Sequence, residues 1–440
     1  MSTRIKQPSC LRDFSRYSIL SVLGMLGVSC YILADTFFIA KGLGTNGLAA
    51  LNLAIPVYNF IHGTGLMVGM GGATRFSICK SQGLKKEVNE VYTNTLYLGI
   101  IFSIAFALAG FFFSQKLALL LGADTAVLQM TDTYLRWLLL FSPAFILNDI
   151  FLCFIRNDNN PQLTMTAMIT GSFANIVLDY IFIFPMELGI FGAILATGLS
   201  PVISITLMLP HWLGKRNSFH LIKTKARTNI GMRVLSLGFP SLVAQLSSGI
   251  VMITFNAIIL GIEGNTGVAA YGVVANISLV IVAIFTGIAQ GVQPLISSFY
   301  GKGEHRQIQK LFRYSIITIL SLSFVEYFFI FILARHIATV FNSERSLQLQ
   351  QIAVTGLKVY FLSSPFVGYN IILATFFTSI EKALPAHILS LLRGLILIIP
   401  LALALSAVFA MTGVWLAYPI TELLVALLAF IVYRLSLRKA

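Results

Sequence analysis

"GTNGLAALNLAIPV" (residues 44–57) and "GNTGVAAYGVVANI" (residues 264–277) decide how this chain is built. A shift of 220 residues sets Gly44 on Gly264, Gly47 on Gly267 and Ala49–Ala50 on Ala269–Ala270. The same shift pairs Gly71 with Gly291, Gly83 with Gly303 and Lys86 with Arg306 without a gap. Near 222, "SPAFILN" (142–148) meets "SPFVGYN" (364–370), and at 221 Gly192 meets Gly413. The chain reads as a duplication whose halves fold alike.

Composition says where the halves sit. Of 440 residues, 57% are hydrophobic and only 10% charged, against about 25% charged in soluble domains. Apolar runs near the ~20 residues that cross a bilayer recur almost without pause. The expected architecture is an all-α membrane protein with twelve spans, near 16–40, 51–78, 92–114, 133–155, 162–185, 190–213, 232–260, 270–297, 311–335, 353–377, 384–408 and 412–435. That puts an N-lobe of spans 1–6 in 1–214, a cytoplasmic linker in 215–231 and a C-lobe of spans 7–12 in 232–440. An even number of spans per half makes the repeats parallel, a plan that secondary transporters use with the substrate site between rocking halves. Duplication kept for stability alone, as in some channels, is the alternative. The linker is polar and basic, with a surface-lying helix as one form open to it.

The net charge of +14 reports topology rather than a nucleic-acid partner. Most Lys and Arg fall at one side, as at Arg12, Arg16, Lys80, Lys85 and Lys86 and in the linker. Exceptions are Lys41, Lys116, Arg136, Arg335, Arg345 and Lys358. By the positive-inside rule both termini are expected in the cytoplasm. The opening "MSTRIKQPSC" is polar and basic, and the span after it is too long for a cleaved signal. Four scattered cysteines offer no disulfide or metal spacing. "GTGLMVGMGG" (63–72) reads as close helix packing rather than a phosphate loop, and no GxxxxGK[ST], HExxH or nucleophile elbow occurs. The six histidines read as loop or span-end residues. No enzyme and no cofactor are expected.

Polar residues inside spans carry the chemistry. Asp35 and Asp179 both lie roughly 26–28 Å from the inner face at ~1.5 Å per residue, and Thr197 reaches a similar level from the outer side. Asn175 shares the Asp179 face one turn away. Two carboxylates, an amide and a hydroxyl at one depth can share a proton or hold a small monovalent cation. The plainer reading makes Asn175 and Thr197 interhelical glue with each aspartate satisfied locally. In the second half the repeat partner of Asp35 is Phe255. Glu326 and Glu422 are the intramembrane acids there, candidates for the substrate cavity together with Arg393, which also reads as an inner-interface residue. Asp149 reads as a gate or loop contact.

"YILADTFFIAKGLGTNGLAA" (31–50), "GSFANIVLDYIFIF" (171–184) and "FGAILATGLS" (191–200) resemble the MATE (multidrug and toxic compound extrusion) family over nearly the whole chain. "FIRNDNNPQLTM" (154–165) is similar to its MepA-like bacterial branch. The resemblance implies a V-shaped pair of six-helix lobes and a cation site at Asp35, Asn175, Asp179 and Thr197. It implies export of amphipathic, often cationic compounds against H⁺ or Na⁺ flow. Two departures stand out. Leu20 occupies the place of a proline that many relatives carry in span 1, so any such bend belongs in span 7 at its repeat partner Pro240. Residues 240–256 lack the acid that some relatives have there, which favours coupling in the N-lobe.

The expectation is a cation-coupled multidrug antiporter of the bacterial cytoplasmic membrane, acting as a monomer on small amphipathic substrates. The alternatives are a lipid or lipid-linked oligosaccharide flippase of the same fold, for which Arg393 is the one cavity cation in view, and a channel or receptor without coupled transport.

Overall fold

The computed structural model describes residues 10–214, 217–342 and 346–438. The basic start of the chain, Lys215–Arg216 of the linker and Arg345 lie outside the described residues. Every regular element described is a helix: α1 (Cys10–Ser81), α2 (Lys85–Leu120), α3 (Leu128–Leu140), α4 (Ser142–Asn157), α5 (Pro161–Ile183), α6 (Gly189–Leu213), α7 (Thr228–Gly301), α8 (His305–Phe341), α9 (Leu347–Tyr360), α10 (Ser364–Ser379), α11 (Ala383–Leu391) and α12 (Ile398–Arg438), with a 3-10 turn at Phe361–Ser363 and a π segment at Leu392–Ile396.

The 72 residues of α1 would reach about 108 Å if straight, far beyond the ~30 Å hydrocarbon layer. They fold back at Gly44, whose φ of 66° and ψ of −156° are open essentially to glycine alone. Gly47 then packs on Leu43 and Ile39 of the outgoing arm. α7 repeats this at Gly264 (φ 62°, ψ −155°), where Gly267 packs on Glu263 and Ile259. The expected loops between spans 1 and 2 and between spans 7 and 8 are therefore absent, because one glycine makes each reversal. α12 reverses at Ala410 (φ 49°, ψ −131°), with Gly413 on Leu405 and Ser406. Eight helices are long and apolar enough to cross a membrane, nine with the α3–α4 pair bent by 46°. Counting the three fold-backs gives twelve spans, six in each lobe.

The lobes meet at the end that carries the basic loops. Gly71 packs against the Val234 carbonyl and Gly238 against that of Met67. Gly291 and Gly287 pack on Tyr17–Ser18 and Val22 of the other lobe. A buried polar layer crosses the same seam: Gln293 Nε2 donates to Thr74 Oγ1 (3.0 Å) and Asn157 Nδ2 to Gln293 Oε1 (3.0 Å). At the rim, Glu381 bridges Arg75 (3.2 Å) and Arg233 (2.8 Å).

Span 1 runs through Leu20 with helical dihedrals, and the non-helical dihedrals inside α7 fall at Gly264. Proline cannot donate to the carbonyl four residues back. That group, Ser236 O, is instead met by His387 Nε2 at 2.6 Å.

The described part of the linker is extended, not a surface helix. Its backbone N–H groups find partners on α2: His220 on Asn89 (2.8 Å), Ile222 on Thr93 (3.2 Å) and Arg227 on Asn94 (2.7 Å). Phe219 is buried among Phe76, Tyr92 and Phe154. Side chains of α2 thus satisfy the linker backbone without helix formation.

Candidate functional site

Three helices of the N-lobe bring the predicted polar residues together. Asp35 comes from the first arm of α1, Asn175 and Asp179 from one face of α5, and Thr197 from α6. All four are buried, Asp179 and Asn175 completely. The Asp35 and Asp179 carboxyls are close enough to act on each other electrostatically, and Asn175 Nδ2 lies 3.4 Å from Thr197 Oγ1. Among the described residues no donor reaches Asp35 Oδ1 or either oxygen of Asp179. Leaving buried acceptors unpaired is costly, and two like charges this close cannot both persist without a neutralising ion. The arrangement suits a group that takes up a proton or a monovalent cation. Tyr134 of α3 faces both carboxyls and Thr197. Sequence reasoning missed it, because a tyrosine near the outer end of a span also fits an interfacial aromatic.

A cavity of about 90 Å³ runs from Thr197 past Tyr31 and Tyr58 to His62, Asp149 and Arg156. Two expectations change here. His62 is no span-end residue but lies in the second arm of α1, and Asp149 is no loop contact but a buried partner, 2.9 Å from His62 Nδ1. Asp149 is buried, whereas His62 keeps 27% of its side chain exposed, and the imidazole beside it makes burial of the carboxylate tolerable. Arg156 lines this cavity. Its Nη1 donates to Gln290 of the opposite lobe at 2.7 Å.

The C-lobe is built otherwise. Phe255, in the place of Asp35, is fully buried against Tyr271. Arg393 sits in the π segment, with its Nε 2.9 Å from Glu422 Oε1, a buried pair rather than an inner-interface residue. Asn370 Nδ2 donates to Glu422 Oε2 at 2.7 Å, so both carboxylate oxygens are engaged. Glu326 on α8 faces Ser364. None of Glu326, Arg393 and Glu422 lines the N-lobe cavity.

Two parallel six-span lobes, closed against each other at one end and holding ionisable groups inside the spans, define the class as a multi-pass membrane transporter. The MatE family model matches residues 21–181 and again 240–404. The chain belongs to that family, as a multi-pass transporter and not an enzyme. It is 25% identical over 431 residues to a protein of Staphylococcus saprophyticus described as multidrug export protein MepA, covering 97% of this chain and 94% of that one. A protein of the same description from Staphylococcus aureus is 26% identical over 94% of this chain and 92% of its own. Among solved structures, an outward-facing multidrug resistance MATE family transporter superposes with a TM-score of 0.91 at 23% identity, over 97% of this chain and 96% of that one. A Vibrio cholerae MATE transporter gives 0.91 at 21% identity, over 98% of each chain. These superpositions speak to the fold.

Proposed function

We propose that this chain is a multidrug antiporter that exports amphipathic, often cationic organic compounds in exchange for H⁺ or Na⁺. It works by alternating access in a bacterial cytoplasmic membrane, as a monomer with its basic end and both termini in the cytoplasm. The observation that carries the reading is the Asp35–Asp179 carboxyl pair, buried in one lobe with three oxygens lacking donors. Such a pair needs a mobile positive charge, and the coupling ion supplies it. With the lobes parted at the end away from the basic loops, the pair takes up the ion. Asn175 and Thr197 add neutral oxygens beside it, and Tyr134 a hydroxyl. Neutralisation lets spans 1, 5 and 6 repack, which lowers affinity for bound cargo, and the return delivers the ion inward. The relatives described as multidrug export proteins support the choice of cargo. The Arg393–Glu422 pair, with its charges matched, acts as a fixed polar element of the C-lobe.

Reconstituted protein tests this with a cationic dye and with pH and Na⁺ gradients imposed separately. One gradient is expected to drive dye transport, and Asp35→Asn or Asp179→Asn to abolish that drive at unchanged expression. Undiminished gradient-driven transport in Asp35→Asn sinks the reading.

A further inference from the structure

The N-lobe holds a second acid–base pair that the coupling cluster does not use. His62 Nδ1 lies 2.9 Å from Asp149 Oδ2. The Tyr58 ring stacks on the imidazole, centroids 5.9 Å apart and 16° from parallel, and the Tyr58 hydroxyl shares a 2.7 Å hydrogen bond with Tyr31. Tyr31 precedes Asp35 by one turn of the same helix. These groups descend in order. Measured from the Gly44 reversal at ~1.5 Å per residue, Asp35 lies about 13 Å down, Tyr31 and Tyr58 about 20 Å, and His62 about 27 Å. The cavity of about 90 Å³ touches Thr197 at the cluster and His62 and Asp149 at its far end, with room for several water molecules.

We propose that His62 and Asp149 form a second proton-carrying station, joined to Asp35–Asp179 through the Tyr31 and Tyr58 hydroxyls and this cavity. The proposal rests on the antiporter reading with H⁺ as the ion. A proton leaving Asp35 passes along the chain because each hydroxyl accepts one proton and releases its own. The imidazole receives it at one ring nitrogen, and Asp149 balances the resulting charge. The surroundings leave the pair free to do this. Tyr58 faces Asp149 from α1, and Cys153 and Arg156 face it from its own helix α4. Arg156 is engaged by Gln290 (2.7 Å). The walls that α5, α6 and α7 give the cavity carry no charged side chain. A proton is thereby moved from the outer third of the N-lobe to its middle.

The test is ethidium transport by proteoliposomes under an imposed pH gradient, with ethidium binding measured at equilibrium alongside. His62→Gln, Asp149→Asn and Tyr58→Phe are expected to slow transport at least tenfold, with binding kept within twofold. Asp149→Glu retains most of the rate. In Tyr58→Phe the solvent deuterium isotope effect rises as proton movement becomes limiting, which a static tie between α1 and α4 would not produce. Should His62→Gln not fold, Tyr58→Phe decides, since it deletes only a hydroxyl. If Asp35→Asn abolishes the drive while these three variants transport normally, the station is wrong and antiport stands. The station is equally wrong, with antiport intact, if only a Na⁺ gradient drives the wild type. If neither gradient drives it, both readings fall.

Discussion

Gly71 and Gly291, equivalent residues of the two repeats, each press bare backbone against the first span of the opposite lobe, Gly71 at Val234 and Gly291 at Tyr17. Neither site has space for a β-carbon. The closure at the basic end is therefore a symmetric backbone contact, and a side chain at either position wedges it. Gly291→Val is expected to expose Ser77, whose hydroxyl donates to Pro294 O across the seam at 3.2 Å. Labelling of Ser77→Cys by an impermeant maleimide, in a chain whose four cysteines are replaced, should rise severalfold from the basic side. Unchanged labelling would show that the glycines do not control closure.

The Arg393–Glu422 pair calls for a double-mutant cycle. Removing one member of a buried pair strands the other charge and costs about 3–5 kcal/mol, whereas an apolar pair of similar volume is often neutral. Arg393→Met and Glu422→Gln are each expected to lower the thermal midpoint in detergent, while Arg393→Met/Glu422→Leu recovers most of the loss. Dye transport should recover with it. A double variant that is stable but inactive would instead make the pair part of the cargo site.

Ala410 has a positive φ (49°), which its repeat counterpart Gly189 (φ 60°) adopts without penalty. Ala410→Gly is expected to stabilise the fold by about 1 kcal/mol, read as a raised midpoint with transport unchanged. A lowered midpoint would mean that the methyl group has a packing role exceeding the strain.

Phe219 anchors the linker. Truncating a buried phenylalanine costs about 3–5 kcal/mol, and here the loss falls on one strap. Phe219→Ala should make the 217–227 segment a fast protease site while both lobes stay folded, as limited proteolysis and mass spectrometry would show. Equal resistance in the variant would mean that Asn89, Thr93 and Asn94 suffice to hold it.

The duplication was legible because Gly44 and Gly264 recur in matched surroundings, although the loop-free reversal that each makes was not. Asp35, Asn175, Asp179 and Thr197 stood out because a polar side chain interrupts an apolar run at a depth that helix rise predicts. The pairing of His62 with Asp149 was not legible, for the opposite reason. Each looks ordinary in its own segment, and no spacing rule links helices that meet only in the folded lobe. Arg393 showed itself as a charge in a span, but the π segment that turns it toward Glu422 has no sequence signal. The linker misled because helix propensity cannot reveal acceptors waiting on α2.

The strap also determines where the two halves can pivot. Its hydrogen bonds to α2 continue to Arg227, the residue before α7, and Arg227 Nη1 adds an ion pair to Glu90 at 2.8 Å. The described part of the linker thus ties the start of α7 to the N-lobe. A swing of the C-lobe would therefore fall on the turns between Thr228 and Pro240. There the helix already lacks one internal bond, and His387 of the C-lobe holds the free carbonyl. In the alternating-access reading proposed above, this joint would act as a fulcrum. A small tilt at Pro240 would become a wide displacement at Gly264, some 36 Å further along the first arm of α7 at ~1.5 Å per residue, where the chain turns.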